Sequence, residues 1–219
     1  MLCDAPGQSQ DAAFLLASRP LWCLGPLYDG RCLWPKAASP TTGSPTAPTP
    51  RPAVLAQQAA QRLRLPLPMP RHSPDLRLPD DRSATVVGEH TWFWTDPADW
   101  RPQRERVQAG AVWAEATAVP VRLSMVPGMG QPTEFCAGPG TPYDRSFGLH
   151  AASPDCDVVY ERSSMDQPGE QVTAQWSITW RVVWRGWDGS APVGGELAPM
   201  TSRAPARFAV AEAQALRTR

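Results

Sequence analysis

Lysine is nearly absent from this sequence: of its 21 basic residues, only Lys36 is a lysine. The 21 acidic residues balance the basic ones, and the formal net charge at pH 7 is zero. A chain without net charge has no overall field to attract nucleic acid or an anionic membrane, so we expect neither partner. The excess of arginine is typical of a GC-rich genome; its functional interpretation is that guanidinium groups serve bidentate anion contacts.

Long apolar runs are also missing. No stretch reaches the roughly 18 apolar residues that a membrane-spanning helix needs, so we expect no membrane span. Residues 12–27 are mildly apolar, but they lack a basic start and are interrupted by Arg19 and Pro20, unlike a signal peptide. Either the true start lies upstream and the sequence is truncated, or export is not encoded in it.

The common catalytic and cofactor motifs are absent. Without GxxxxGK[ST] no phosphate-binding loop can form, so we expect no bound nucleotide. Without GxSxG or paired Cys/His spacing, no hydrolase elbow or zinc site is predicted. We therefore expect a protein that is not an enzyme, with no catalytic residue, cofactor or metal. Two alternatives stay open: a hydrolase site around His150 and Asp155, and a calcium site that uses Asp155 and Asp157.

Proline, in contrast, is abundant: 26 residues, concentrated in 35–82. This clustering divides the chain into the following predicted parts: a small Cys-containing segment (1–36), a disordered Pro/Ser/Thr linker (37–51), a short helix and extended segment (52–84), a β-sandwich (85–212) and a tail (213–219).

The only convincing helix is predicted over 52–65. Pro52 suits the first helical turn, alanine and glutamine fill the interior, and Pro66 ends it. Leu55, Ala59 and Leu63 form a narrow apolar stripe, and a helix this short must dock through it or fray. Residues 65–81 are predicted to be irregular extended chain.

Strict alternation of apolar and polar residues dominates 171–185, where only Val183 breaks the polar face. A period of two is typical of a strand with one face on a core and one in water. Similar patterns predict further strands near 85–95, 107–126 in two pieces, 133–137, 156–162 and 193–210. The last contains Pro199 and Pro205 and should be an edge strand or a bulged one. The expected fold is mainly β, an antiparallel sandwich or barrel with one short helix.

Two disulfides are expected among the five cysteines. Cys136 and Cys156 flank a Gly/Pro-rich loop between strands, and Cys23 and Cys32 flank a turn at Asp29-Gly30. Closing the first loop would stabilise the domain by about 3 kcal/mol in the chain-entropy model. The alternative for Cys136 and Cys156 is two separate buried thiols. The pairing of Cys3 with Cys23 or Cys32 stays open.

The tryptophans admit two interpretations. Large aromatics at alternate positions fill the space between two sheets, which we expect for Trp176 and Trp180. The predicted strand is longer than average, so one of its ends should extend beyond the sandwich. There Trp184 and Trp187, beside Arg185, form a candidate binding surface for carbohydrate or protein.

Several longer segments resemble an actinobacterial family of secreted proteins with a polycystic-kidney-disease (PKD)-like, immunoglobulin-like domain. The similarity covers roughly residues 50–212, and its segments are CAGPGTPY (136–143), SPDCDVVY (153–160), RSSMDQPGE (162–170), VTAQWSITWRVVW (172–184), RPAVLAQQAAQRLRL (51–65), TWFWTDPADWRP (91–102) and VWAEATAVPVRL (112–123). Some members carry the label "ATP/GTP-binding protein", which the missing phosphate-binding loop contradicts here.

This resemblance implies an extracellular or cell-surface location. With the linker and the disulfide pair, it leads us to expect a non-enzymatic interaction or spacer module whose partner is a protein or glycan at the cell surface. The alternative is a carbohydrate-binding accessory module that uses exposed tryptophans. One departure concerns the turn after the second long strand, where the family has a W-x-x-G-D-G-like sequence and this chain has SMVPGMG (124–130) without the aspartate.

Overall fold

The computed structural model describes residues 50–213. Their regular structure consists of ten β-strands, one α-helix and three short 3-10 turns. Their bounds are α1 Pro52–Arg62, β1 Pro70–Ser73, β2 Leu76–Arg77, β3 Ser83–Val86, β4 His90–Thr95, β5 Gln103–Ala109, β6 Val112–Val126, β7 Glu134–Cys136, β8 Asp157–Val159, β9 Val172–Trp187 and β10 Pro192–Ala211. The mainly β prediction is confirmed. The segment 1–36 with its Cys23–Cys32 pair, nearly all of the linker 37–51 and the tail after residue 213 lie outside the described residues.

The strands form two sheets. The smaller has the order β1-β4-β8, and the larger has the order β2-β3-β10-β9-β6-β5, with β7 paired to the far end of β6. In the larger sheet β9 lies between β6 and β10 and pairs with both along most of its length. This strand is the segment in which the sequence shows strict alternation, so the predicted long strand is the middle of the sheet.

The larger sheet departs from an all-antiparallel arrangement at one pair. Residues 209–211 at the end of β10 run parallel to 84–86 of β3, whereas the other described pairs are antiparallel. The expectation of a fully antiparallel sandwich is therefore wrong at β3, which reaches β10 by a crossover connection. The bulge predicted for β10 is confirmed between Leu197 and Met200, at Pro199, which has no N–H to donate to a ladder.

The segment predicted as irregular, 65–81, contains two short strands. β1 pairs with β4 at the edge of the small sheet, and β2 pairs with β3 at the edge of the large one. Pro70 is the first residue of β1, a position that tolerates proline because the missing N–H faces away from the ladder. Pairing with a partner strand overrode the local signal of the prolines.

One half of the larger sheet packs against the smaller sheet through aromatic rings. Phe93 of β4 meets Trp176 of β9 edge-on, with ring centroids 5.5 Å apart. The Trp176 indole N–H donates to the backbone carbonyl of Trp94 at 3.1 Å, and Tyr160 and Phe208 fill the space beside Phe93. Trp176 and Trp180 are fully buried, so the prediction that they belong to the core is confirmed.

The helix covers the other half of the same inner face. It contacts β5, β6, β9 and β10, and its predicted apolar stripe, Leu55, Ala59 and Leu63, is buried. Facing it, β6 presents the fully buried small residues Ala114, Ala116 and Ala118. The helix ends at Arg62, three residues earlier than predicted, since the backbone is already extended at Leu63. Pro66 disfavours helical backbone only at the residue before it, Leu65.

The Cys136–Cys156 disulfide joins the two sheets. Cys136 ends β7, which belongs to the larger sheet, and Cys156 precedes β8 of the smaller one. Both residues are buried, at 4% and 5% exposure. The covalent bond therefore fixes the two layers to each other at the edge of the aromatic core.

Among the described residues, no helix combines the length and the apolar character needed to cross a bilayer.

The small residues under α1 generate a stability prediction. Ala116→Leu adds volume where the helix lies against the sheet, and overpacking of this kind costs about 1–3 kcal/mol. Thr117→Leu, the neighbouring residue on the opposite face, is the matched control and should change stability by about 0.5 kcal/mol or less. Urea unfolding measures both; equal losses for the two variants would contradict the described orientation of β6.

Candidate functional site

The face of the larger sheet away from both layers is lined by half-buried and exposed side chains. Along β6, the buried residues Ala114 and Ala116 alternate with Trp113, Glu115 and Thr117, which are only half-buried. The same alternation continues on β9. We call this side of strands β5, β6, β9 and β10 the outer face; strand register places its side chains in a fixed order.

Two tryptophans lie directly opposite each other at one end of the outer face. Trp113 of β6 is the register partner of Trp187 of β9, and both are half-buried. Gly186 permits this close pairing, since a Cβ atom there would lie 2.3 Å from the Trp113 carbonyl oxygen. The guanidinium of Arg106 lies 4.0 Å from the centroid of the Trp113 ring, a cation–π contact that covers this ring.

An ion pair lies next to the tryptophans. Arg185 donates from Nε to Oε1 of Glu115 at 3.0 Å, and Nη2 of the same guanidinium lies 2.8 Å from that oxygen. The arginine side chain is 71% exposed and the carboxylate 18% exposed, so water screens the pair and its contribution to stability is at most about 1 kcal/mol. The ion pair mainly shows that an arginine on this face can hold a carboxylate.

The structure separates the three residues of the predicted binding surface. Arg185 and Trp187 belong to the outer face, where they lie two residues apart on β9. Trp184 points to the opposite side, where it is partly buried against the core, beside Gly195 of β10. A step of one residue along a strand reverses the direction of the side chain, which separates Trp184 from its neighbour Arg185.

Further arginines on the outer face were not singled out from the sequence. Register places five of them with Arg181 and Arg185: Arg104, Arg106, Arg122, Arg203 and Arg207. The signal was available in RER (104–106) and RAPAR (203–207), where arginines at even spacing must share one side of a strand. What the sequence did not specify is which strands lie side by side.

A cavity of about 440 Å³ adjoins the end of this face near Arg207. Its walls are the turn at Gly128 and Met129 and the turn at 167–171, and of the described residues that line it Arg207 alone is charged. The turn at Gly128 and Met129 belongs to the SMVPGMG segment (124–130), which lacks the aspartate found in the family that this chain resembles. With one cation and no acid or base pair, the cavity can bind an anion but has no proton-transfer groups.

The alternative catalytic and calcium groups lie in separate hydrogen-bonded pairs. His150 contacts Glu89 at 2.7 Å, whereas the Asp155 carboxylate accepts a hydrogen bond from the Thr141 hydroxyl. Asp157 accepts hydrogen bonds from the Ser153 backbone N–H and contacts His90 Nδ1 at 2.5 Å. Within residues 50–213, no group of three or more His, Cys, Asp or Glu side chains is placed to hold a metal ion.

His72 is the one histidine held in the core. Its ring stacks 4.5 Å from Phe208, with Nδ1 2.8 Å from the carbonyl oxygen of Pro74 and Nε2 3.0 Å from the Ser83 hydroxyl. Burial lowers the pKa of His72, and the Pro74 carbonyl and the Asp75 carboxylate only partly oppose this effect.

Comparison with known proteins adds no relative: no protein-family model, no curated protein and no solved structure matches this chain.

The lowered pKa of His72 predicts a pH effect on stability. The folded protein favours the neutral ring, so below the ordinary pKa of 6.5 the unfolded chain binds more protons, and stability falls as pH falls. His72→Gln removes the titration. The difference in unfolding free energy between the unsubstituted protein and this variant should therefore shrink between pH 7.5 and pH 5 in urea titrations. A difference that stays constant would contradict the assignment.

Proposed function

We propose that this chain is a non-enzymatic, exported or cell-surface interaction and spacer module built on a PKD-like, immunoglobulin-like β-sandwich. The buried Cys136–Cys156 disulfide between the sheets carries this proposal. Structural disulfides form and persist in oxidising surroundings outside the cytosol. Because this bond cross-links the two layers of the fold, we take it to be part of the folded state in which the protein works.

The PKD-like assignment is supported by the positions in the fold of the segments that resemble that family. CAGPGTPY and SPDCDVVY supply the two cysteines and the ends of the loop between them, and VTAQWSITWRVVW is most of the central strand β9. The features that define the resemblance thus coincide with the cross-link and the core of the domain.

A binding role is supported by the outer face of the larger sheet. Strand register holds arginine, threonine and tryptophan side chains in a fixed order on this face, which suits recognition of a ligand laid across it. His90 and His150, in contrast, lie outside the outer face, each paired with a carboxylate.

A carbohydrate-binding role is the second candidate, and one observation favours it. Trp187 lies on the outer face at the end of β9, next to the exposed turn 188–190, and among residues 50–213 no cation lies over its ring as Arg106 does over Trp113. Its ring is the aromatic surface on this face at which a sugar could stack. Trp187→Ala should then abolish retention on a glycan array, while Trp113→Ala should leave most of it.

Peptide mapping of the exported protein under non-reducing conditions tests the proposal. Trypsin cleaves at Arg122, Arg145 and Arg162, so Cys136 and Cys156 fall on separate peptides, 123–145 and 146–162. We expect these peptides to be linked in protein recovered from the cell surface or medium, and to separate after reduction. Recovery from the cytoplasm with both thiols free would overturn the proposal.

The disulfide also generates a stability prediction. Replacing both cysteines, Cys136→Ser with Cys156→Ser, should lower the free energy of unfolding by about 3 kcal/mol, because the unfolded chain regains the entropy of the open loop. Ser163→Ala, a nearby substitution outside the cross-link, is the control and should change it by about 0.5 kcal/mol or less. Urea unfolding checks both values; a double variant as stable as the unsubstituted protein would contradict a structural role for the bond.

A further inference from the structure

Seven arginines share the outer face of the larger sheet. The strand register places them on one side of four adjacent strands: Arg104 and Arg106 on β5, Arg122 on β6, Arg181 and Arg185 on β9, and Arg203 and Arg207 on β10. All seven are exposed. We call these residues the arginine stripe.

The stripe has a regular order along the strands. Measured on the central strand β9, its members lie at the levels of residues 185, 183, 181, 179, 177 and 173. Steps of two residues correspond to about 6.6 Å, so the whole stripe extends for about 40 Å. The first level holds Arg106 of β5 and Arg185 of β9, and the last holds Arg207 of β10, so the stripe runs along the strands.

Most of these charges are not neutralised by the protein. Within the described part of the chain, Arg185 is the one member of the stripe with a carboxylate within 4.0 Å, that of Glu115. Glu115 and Glu196 are the acidic residues on this face, both at the end that holds Arg104 and Arg185. Between the levels of Arg181 and Arg207, the charged residues of the described face are all arginines. A chain with no net charge has thus segregated positive charge onto one side.

The layout fits an extended ligand better than a globular protein. Protein interfaces have an apolar centre in which lysine, glutamate and aspartate are depleted and arginine occurs among large aromatic residues. Here the arginines at the centre of the face lie between small polar residues such as Thr179 and Ser177 instead. Guanidinium groups at successive levels of a sheet match a flexible chain that carries anionic groups along its length.

The aromatic rings on this face argue against single-stranded nucleic acid. Binding of that kind uses free rings on which successive bases stack. Arg106 covers Trp113, and the Arg122 guanidinium lies 4.9 Å from the centroid of the Phe135 ring. Two of the three aromatic rings on the face therefore already hold a cation. The disulfide further favours a ligand found outside the cytosol.

We propose that the arginine stripe binds an anionic polysaccharide, laid along the outer face from the level of Arg185 to that of Arg207. The inference rests on the proposed role as an exported interaction module and names the chemistry of its partner. The ion pair of Arg185 with Glu115 is an internal example of the contact: a carboxylate oxygen that accepts a hydrogen bond from one guanidinium nitrogen and lies 2.8 Å from a second. Arg207, the last residue of the stripe, lines the cavity between the turns at 128–129 and 167–171, and the end of the polysaccharide can enter this cavity.

The test uses the full-length oxidised chain and fluorescently labelled polygalacturonate fragments of one length. We expect binding that weakens as NaCl is raised, because salt screens exposed charges, and no binding to neutral dextran of similar size. The triple variant Arg181→Gln, Arg203→Gln and Arg207→Gln should bind about tenfold more weakly, since each exposed charge pair contributes a few-fold. These residues are exposed, so the variant should fold; circular dichroism checks this.

A matched variant controls for total charge. Arg64→Gln, Arg145→Gln and Arg162→Gln remove three exposed arginines that lie outside the stripe, and affinity should change less than twofold. Equal losses for the two triple variants would show a response to net charge alone and overturn the stripe. Absence of binding to polygalacturonate at low salt would overturn the inference outright.

A third arm separates the polysaccharide from nucleic acid. Oligothymidylate with the same number of charges should bind more weakly than polygalacturonate, and equal or tighter binding would overturn the choice of polysaccharide. If any arm of this test fails while the Cys136 and Cys156 peptides are found linked, only the proposed ligand is rejected. Free thiols in the recovered protein reject the exported module, whatever the binding result.

Discussion

The contact between Trp176 and Phe93 is the interaction on which the two-layer structure depends. Each ring comes from a different sheet, and their edge-on packing at 5.5 Å sets the separation of the layers. The indole N–H of Trp176 reaches the backbone of the opposite sheet, so the largest side chain of the interface is also hydrogen-bonded across it. Other buried aromatics also have a hydrogen-bond partner: Trp180 donates to Ser202 of the neighbouring strand, and Tyr160 donates to the carbonyl of Pro127.

A single inner face accommodates two different covers because its side chains change size along β6 and β9. Near Trp176 and Ile178 the face carries bulky groups that meet the aromatic residues of the small sheet. Further along, the alanines of β6 leave room for α1, whose own contact residues include Ala56 and Ala59. Close-packed interiors require this complementarity, so the pattern of large and small residues decides where each layer lies.

With most of the inner face covered, the outer face is left to interact with other molecules. Its arginines belong to four strands that are distant in sequence, and no described carboxylate lies within 4.0 Å of six of the seven. Such a surface is stable only because water solvates the guanidinium groups, and an anionic chain can replace that water. The rigid sheet holds the charges in a fixed order, which lowers the entropy lost when a flexible ligand binds.

The sequence predicted the local elements well because their signals are local. Alternation over 171–185 identified the central strand, the apolar stripe at Leu55, Ala59 and Leu63 identified the buried side of the helix, and Pro199 identified the bulge in β10. The flanking strands similarly indicated the Cys136–Cys156 bond. In contrast, the proline-rich segment 65–81 concealed β1 and β2, because a strand at a sheet edge is stabilised by its partner rather than by its own residues.

The candidate site was only partly predictable for the same reason. Alternation showed that Arg181 and Arg185 share a side of β9, and it also separates Trp184 from Trp187. It could not show that β5, β6 and β10 would lie beside that strand, nor that β3 would join β10 in parallel. The sequence by itself determined which residues point the same way within each strand, since side-chain direction follows the backbone period. The tertiary structure decided which strands are neighbours, because pairing depends on packing between residues far apart in the chain, and that pairing assembled seven scattered arginines into one surface.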